Sequence, residues 1–156
     1  MKILVDADSC PKPARELLLR RAKKLGIRII FAANRAIPGA NTGGDIANSV
    51  SGAEMEICST ADNSADDRIV ELAEKGDLAV TRDIPLAKRL VEKEVTTLDD
   101  RGRIFTKENI NELLSIRNFM VGLADNGLEY ERTANYGKKD LKKFADSLEK
   151  LLRGKT

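Results

Sequence analysis

The chain of 156 residues has no histidine, no tryptophan and only two tyrosines and four phenylalanines. Without histidine there can be no Ser-His-Asp triad, no Cys-His dyad and no imidazole proton shuttle. Zinc sites of the Cys₂His₂, His₃ and H-E-x-x-H kinds are excluded as well. Catalysis is left to carboxylates, Lys and Arg, hydroxyls, two cysteines or a recruited cofactor. Cys10 and Cys58 lie far apart and form no CxxC, so free thiols in a reducing compartment are expected. No apolar run approaches the roughly 20 residues of a membrane helix. The first residues, KILVDAD, read as a strand and not as a signal core. A cytoplasmic protein that does not enter a membrane is the expectation.

What is present fits one domain, for which roughly 100–150 residues is common. A hydrophobic fraction of 42% supports a packed core. The net charge of +2 conceals an asymmetry. Residues 1–100 hold 15 Lys/Arg and 17 Asp/Glu, whereas residues 101–156 hold 12 and 8. Acidic groups gathered in one region, with a basic surface from the C-terminal part, would give this split; so would a solvated Lys-rich helix.

The apolar run Ile3-Leu4-Val5 predicts a buried strand ending at Asp6. Pro11 and Pro13 suit the first turn of a helix, which Leu17, Leu18, Ala22 and Leu25 continue until Gly26 closes it. A second strand spans Ile27 to Ala33, and a Gly/Asn-rich stretch runs from Asn34 to Gly52, with a short helical turn near Ile46, Ala47 and Val50. Glu54 to Cys58 alternates and reads as a strand near an edge. Ser64 is a candidate N-cap for a helix over Ala65 to Glu74. Leu78 to Thr81 gives a fourth strand, Pro85 starts another helix, and Val95 to Leu98 gives a fifth strand. Arg103-Ile104-Phe105 reads as a small strand. Helices over about Lys107–Ala124 and Lys139–Leu152 complete the chain. Strands alternating with helices of about three turns indicate an α/β domain. Its parallel sheet of about five strands has helices on both faces. Residues 1–100 form its core and 101–156 a mainly helical extension.

In an open parallel sheet, ligands bind beyond the carboxyl ends of the strands. The acids fall at that edge: Asp6 and Asp8 after the first strand, Asp66 and Asp67 at the start of a helix, and Asp83 after the fourth strand. Strand alternation lets Asp6 and Asp8 share a face. Helical spacing puts Asp66 on the sheet-facing stripe of Ile69 and Ala73, with Asp67 one step towards the rim. Acids at helix starts are also ordinary caps, the simpler reading for Asp67 alone. Asp6, directly after an apolar strand, has no such motive. Converging carboxylates persist by keeping protons or by holding a hard cation. Oxygen-only ligation suits Mg²⁺ or Mn²⁺, whose usual task is phosphate chemistry. Asp6, Asp66 and Asp83, with Asp8 as a further oxygen donor, would hold the ion; Asp8 or Asp67 would orient water. Ser9, Asn34, Arg35 and Arg101, near strand ends and turns, are candidate substrate contacts.

The segments DADSCPKPAREL (6–17), AAN (32–34), SADDRIVELAEKGDLAVTRDIPLA (64–87), RG (101–102) and NINELLSIR (109–117) together resemble the YaiI/YqxD family. These small bacterial proteins are classed with PIN-like nuclease folds. The resemblance implies a single PIN-like domain over 1–156 with an acidic Mg²⁺ or Mn²⁺ site that cleaves RNA or DNA phosphodiesters, RNA being expected here. It carries the family's acids over to Asp6, Asp8, Asp66 or Asp67, and Asp83. The chain departs from the pattern at Asn63, where another acid is expected, and at Arg82, where a small or neutral polar residue is usual. Asp100 stands where a proline precedes Arg101-Gly102, and Glu129 to Lys139 keeps only a loose likeness.

Two other enzyme readings start from the same residues. The Asp-Ala-Asp opening resembles haloacid-dehalogenase-type phosphatases, with Asp6 as nucleophile, Asp8 as acid/base and Asp99-Asp100 as the late acid pair. Against it, Cys10-Pro11 turns directly into a helix and leaves no room for a flap. Cys10 and Arg15 make a Cys-x4-Arg spacing, one residue short of a phosphate loop, and a packed thiol is the simpler role. GANTGG (39–44) lacks the Lys-Ser/Thr ending of a P-loop. The basic tail (Arg132, Lys138, Lys139, Lys142, Lys143, Lys150, Arg153, Lys155) would suit a phosphate backbone. Few aromatics accompany it, so base stacking has little to work with. A PIN-like module that binds nucleic acid or protein through a catalytically weak site is the non-enzyme alternative.

Overall fold

The computed structural model describes residues 1–33, 53–57, 64–125 and 135–153. Strand β1 (Lys2–Asp6) leads through a single 3₁₀ turn, Ala7–Ser9, into helix α1 (Lys12–Leu25). Pro11 and Pro13 flank the start of α1, where a missing N–H leaves no intrahelical bond unmade. Gly26 ends it in the left-handed region at φ 66°, the conformation that only glycine adopts without strain. Then follow β2 (Arg28–Ala33), β3 (Ala53–Ile57), α2 (Ser64–Leu72), β4 (Leu78–Val80) and α3 (Ile84–Glu92). The chain continues through β5 (Thr96–Leu98), β6 (Ile104–Phe105), α4 (Ile110–Asp125) and α5 (Lys138–Arg153).

The six strands form one sheet in the order β3-β2-β1-β4-β5-β6, parallel except for β6, which pairs antiparallel with β5. The expected five strands and the small sixth are thus present, with β3 at an edge. From β1 the chain builds outward through β2 and β3, then returns to place β4 on the other side of β1. The boundary between β1 and β4 is therefore the point where strand order reverses, and in such sheets a crevice opens there.

Alternation within β1 divides the core. Ile3 and Val5 join Ile29 and Phe31 beneath α1 and α5, where Leu18, Ala22, Phe144, Leu148 and Leu152 complete the layer. Leu4 faces the other way, with Ile30 and Ala32, against Ala65 and Ile69 of α2 and Leu86 and Leu90 of α3. A smaller cluster of Ala87, Val91, Phe105 and Ile110 packs α4 against α3. The C-terminal helix is part of the main core. Phe144, Leu148 and Leu152 recur at i, i+4 and i+8, the stripe that faces a core, and Phe144 is wholly buried. Its lysines line the opposite, solvent side.

Three local details differ from the sequence expectation. Ser64 is itself helical and so is the first residue of α2, not its cap. Helix α4 is regular from Ile110, and the expected start near Lys107 is its capping turn, in which Thr106 and Asn109 bond each other's backbone N–H and Ile110 N donates to the Thr106 carbonyl at 3.0 Å. Asn109 Oδ1 accepts from Thr106 N at 2.8 Å, and Thr106 Oγ1 accepts from Asn109 N at 3.2 Å. Asp8 belongs to the 3₁₀ turn, so strand alternation does not govern its direction. The expected turn near Ile46 lies outside the described residues. No helix among the described residues is long and apolar enough to cross a membrane.

Candidate functional site

An open cleft of about 510 Å³ lies at the carboxyl edge of the sheet, at the crevice between β1 and β4. Asp6, Asp8 and Ser9 line one side, Ala65 and Asp66 another, and Arg82, Asp83, Ile84 and Arg117 complete it. Asp6 ends β1 and is only 6% exposed. Its Oδ2 accepts from Thr81 Oγ1 at 2.8 Å and from Ser9 Oγ at 3.0 Å. Thr81 Oγ1 in turn accepts from Asp83 N at 3.0 Å, and Ser9 Oγ accepts from Arg82 N at 3.3 Å. Both hydroxyls therefore direct their protons at Asp6 and fix its carboxylate. Burial pushes the Asp6 carboxyl up from the usual range, the two hydroxyls oppose the shift, and the charges of Asp83 and Asp8 add to it.

Asp83 caps α3: its Oδ1 accepts from Leu86 N at 3.1 Å, with Pro85 in the first turn. Capping occupies one oxygen of this carboxylate. Asp66, in the first turn of α2, is pushed up to about 6. Burial contributes most, followed by the charges of Asp83 and Asp6 and a hydrogen bond with the Asp83 carboxylate; Arg89 opposes them. A carboxyl raised in this way beside a carboxylate is what like charges in one cleft produce when no cation offsets them.

The remaining expected residues are distributed differently. Asp8 and Ser9 line the cleft, and Ser9 acts on Asp6 as a positioning residue. Asp67 does not line it: it points to the outer face of α2 and pairs with Arg89 at 2.8 Å, both groups exposed. Asp66 thus lines the cleft, and Asp67 lies towards the rim with its carboxylate on Arg89. Arg101 lies in a second cleft, where it pairs with Asp140 at 3.3 Å. Asn34, Arg35, Cys58 and Asn63 are outside the described residues. Sequence reading assigned no role to Thr81 or Arg117. Thr81 is flagged by its place between a buried strand and Asp83, and Arg117 only by closing the segment NINELLSIR.

Arg82 does not neutralise Asp83. Its Nε donates to Asp100 Oδ1 at 3.2 Å and its Nη2 donates to Oδ2, a bidentate pair with a carboxylate that is 2% exposed. Two of the residues that depart from the family pattern are thus each other's partner. Asp99 is occupied by backbone, its Oδ1 accepting from Arg101 N and Arg103 N, both at 2.9 Å. Neither Asp99 nor Asp100 lines the Asp6 cleft, so the late acid pair of a phosphatase does not assemble around Asp6. Cys10 is buried and its thiol is pushed up to about 12, mainly by burial. Arg15 Nη1 donates to the Cys10 carbonyl at 2.6 Å. That geometry belongs to a packed thiol and a helix-start contact, not to a phosphate loop.

Among the described residues no three Asp, Glu or Cys side chains stand together closely enough to hold a metal ion. The set Asp6, Asp8, Asp66 and Asp83 is therefore not assembled as a four-carboxylate cage. The donor chemistry nonetheless fits a hard cation. It is all oxygen, and the charges of Asp83 and Asp6 raise the Asp66 carboxyl, as mutual repulsion in one cleft does. Mg²⁺ commonly keeps several waters and takes one or two protein carboxylates. Asp66 and Asp83 are the pair that would hold it.

Residues 4–154 match the model of a family described as "Uncharacterized BCR, YaiI/YqxD family". A UPF0178 protein of Treponema denticola is 47% identical over 152 residues, covering 97% of this chain and 92% of that protein. UPF0178 proteins of Treponema pallidum and Myxococcus xanthus are 44% and 40% identical, covering 98% and 97% of this chain and 84% and 94% of theirs. No solved structure matches. With the match running through both the acidic strand ends and the C-terminal helix, this chain belongs to the YaiI/YqxD family.

Proposed function

We propose that this protein is a cytoplasmic, PIN-like phosphodiesterase that hydrolyses nucleic acid, RNA in the first instance, with Mg²⁺ or Mn²⁺. The observation that carries the reading is the convergence of Asp6, Asp66 and Asp83 on one open cleft at the strand-order reversal. Chemistry must proceed there without histidine. The bound cation would lower the pKa of a coordinated water and offset charge on the phosphate.

The chain's own residues supply the rest. Asp66 and Asp83 would hold the cation. Asp6, fixed by Thr81 and Ser9, would set a carboxylate oxygen at the floor of the cleft, facing the cation. Asp8, on the exposed 3₁₀ turn, would orient the attacking water. Arg117, exposed at the wall, would meet a phosphate oxygen. Capping by Asp83 keeps one of its oxygens on α3 and therefore leaves the other as the donor.

The test is cleavage of a labelled RNA with Mn²⁺, together with calorimetric Mn²⁺ titration. Cleavage should be lost in Asp83→Asn and Asp66→Asn, and Mn²⁺ binding should weaken in both. Mn²⁺ binding that is absent, or equal in wild type and variants, would refute the reading. A second reading, a nucleic-acid-binding module with a silent acidic site, draws on the capping role of Asp83. It requires RNA binding that survives Asp83→Asn, with no turnover by the wild type.

A further inference from the structure

A second cleft, about 450 Å³, adjoins the acidic one and shares Arg82 and Ile84 with it. Its character is opposite. The carboxylates in its wall are already occupied: Asp99 by two backbone N–H groups, and Asp140 by Arg101 and by Gly137 N at 2.9 Å. Arg103 and Lys143, also in the wall, are exposed and close no ion pair among the described residues, although Arg103 acts on Asp99 and Lys143 on Asp140 at longer range.

The fold brings these two cations together by a specific device. Gly102, at φ 86°, lies flat on α5: a Cβ there would stand 2.5 Å from the Lys143 carbonyl oxygen. Ser147 Oγ donates to the Gly102 carbonyl at 2.7 Å and fastens the turn. Asp99 holds the same turn from inside through its two backbone contacts. Arg103, next to Gly102, and Lys143, under it, are therefore set on one rim by backbone-level packing.

We infer that this cleft binds the sugar–phosphate backbone of the nucleic acid beside the scissile bond, with Arg103 and Lys143 as its phosphate contacts. The inference rests on the phosphodiesterase reading and extends it. A single phosphate would be satisfied by one cleft. Adjoining cationic and carboxylate clefts, joined at Arg82 and Ile84, suit a chain of phosphates in which one is presented to the cation site and a neighbour is held by Arg103 and Lys143. Of the basic tail, this selects Lys143 and leaves Lys139 and Lys142 outside the cleft wall.

The experiment measures fluorescence anisotropy of a labelled single-stranded RNA of about 12 nucleotides, with the full chain in EDTA over a range of KCl. Each phosphate contact in a single strand contributes about 0.7 to the slope of log K against log salt. Arg103→Ala with Lys143→Ala should therefore flatten the slope by about 1.4 and weaken binding on the order of tenfold. Lys139→Ala with Lys142→Ala, equal in charge and on the same helix, should change the slope far less. Both pairs sit on exposed side chains, and matching circular dichroism and melting curves establish that each variant is folded. Equal losses from the two pairs, or no RNA binding by the wild type, would overturn the cleft. RNA binding that depends on Arg103 and Lys143 without cleavage in Mn²⁺ would sustain the cleft and sink the phosphodiesterase reading. Cleavage with a KM unmoved by the Arg103/Lys143 pair would do the reverse.

Discussion

Replacing Asp66 with asparagine should make the metal-free protein more stable at neutral pH while leaving it nearly unchanged in acid. Asp66 is raised from 3.8 to about 6, by burial first and then by Asp83 and Asp6. The folded state therefore binds this proton more tightly than the unfolded chain. The stabilisation is complete below the unfolded value of 3.8 and is lost as pH rises through about 6. Raising the carboxyl from 3.8 to about 6 has an upper bound of ~3 kcal/mol. The side chain is half-buried, and solvent screening reduces this to ~1 kcal/mol. For a chain of this size that is about 2–4 °C in Tm. Asparagine keeps a donor for the Asp83 carboxylate and has no proton to lose. The Tm advantage of Asp66→Asn over wild type should open between pH 4 and pH 7 by that amount.

Metal addition supplies the second half of the assay. At pH 7.5 millimolar Mn²⁺ should raise the wild-type Tm and erase the advantage of Asp66→Asn, because a cation replaces the proton that neutral pH removes. Differential scanning fluorimetry across pH, with and without Mn²⁺, reads both effects. A Tm difference that stays flat from pH 4 to pH 7 would refute the account of carboxylate repulsion. A Mn²⁺ shift of equal size in both proteins would refute the placement of the cation at Asp66.

Three further outcomes follow from the geometry. Removing one partner of a buried ion pair commonly costs ~3–5 kcal/mol; Arg82 is partly exposed, so Arg82→Ser should cost about 2–3 kcal/mol once solvent screening is allowed for. Arg82→Ser with Asp100→Ala should recover most of that loss in a urea-denaturation cycle, and additive losses would contradict the pairing. Gly102→Ala meets both the Lys143 carbonyl and a positive φ, so it should destabilise by at least ~1–3 kcal/mol, read as a lower urea midpoint, and should weaken RNA binding with the Arg103/Lys143 pair. Cys10, pushed up to about 12 and buried, should resist iodoacetamide at pH 8 in the folded protein and react only when urea unfolds it.

The elements were legible because buried strands of a parallel sheet are short apolar runs, and here Gly26, Pro11, Pro13 and Pro85 punctuate them. The acids at strand ends were legible for the same reason. Register was not, and register builds the site. β1 and β4 pair with Ile3 opposite Leu78, an offset of 75 residues. The contacts Lys2 to Asp77 and Asp6 to Thr81 are separated by that same 75. β4 and β5 pair with Val80 opposite Leu98, and Arg82 to Asp100 repeats their offset of 18. Strands buried on both faces give no alternation from which such offsets can be read. Arg82 and Asp100 therefore look like two unrelated departures along the chain, although the sheet makes them neighbours. The same register explains why Arg82, beside Asp83 in sequence and on the rim of the acidic cleft, pairs with Asp100 and not with Asp83. Its side chain follows the offset of β4 and β5, which sets Asp100 beside it.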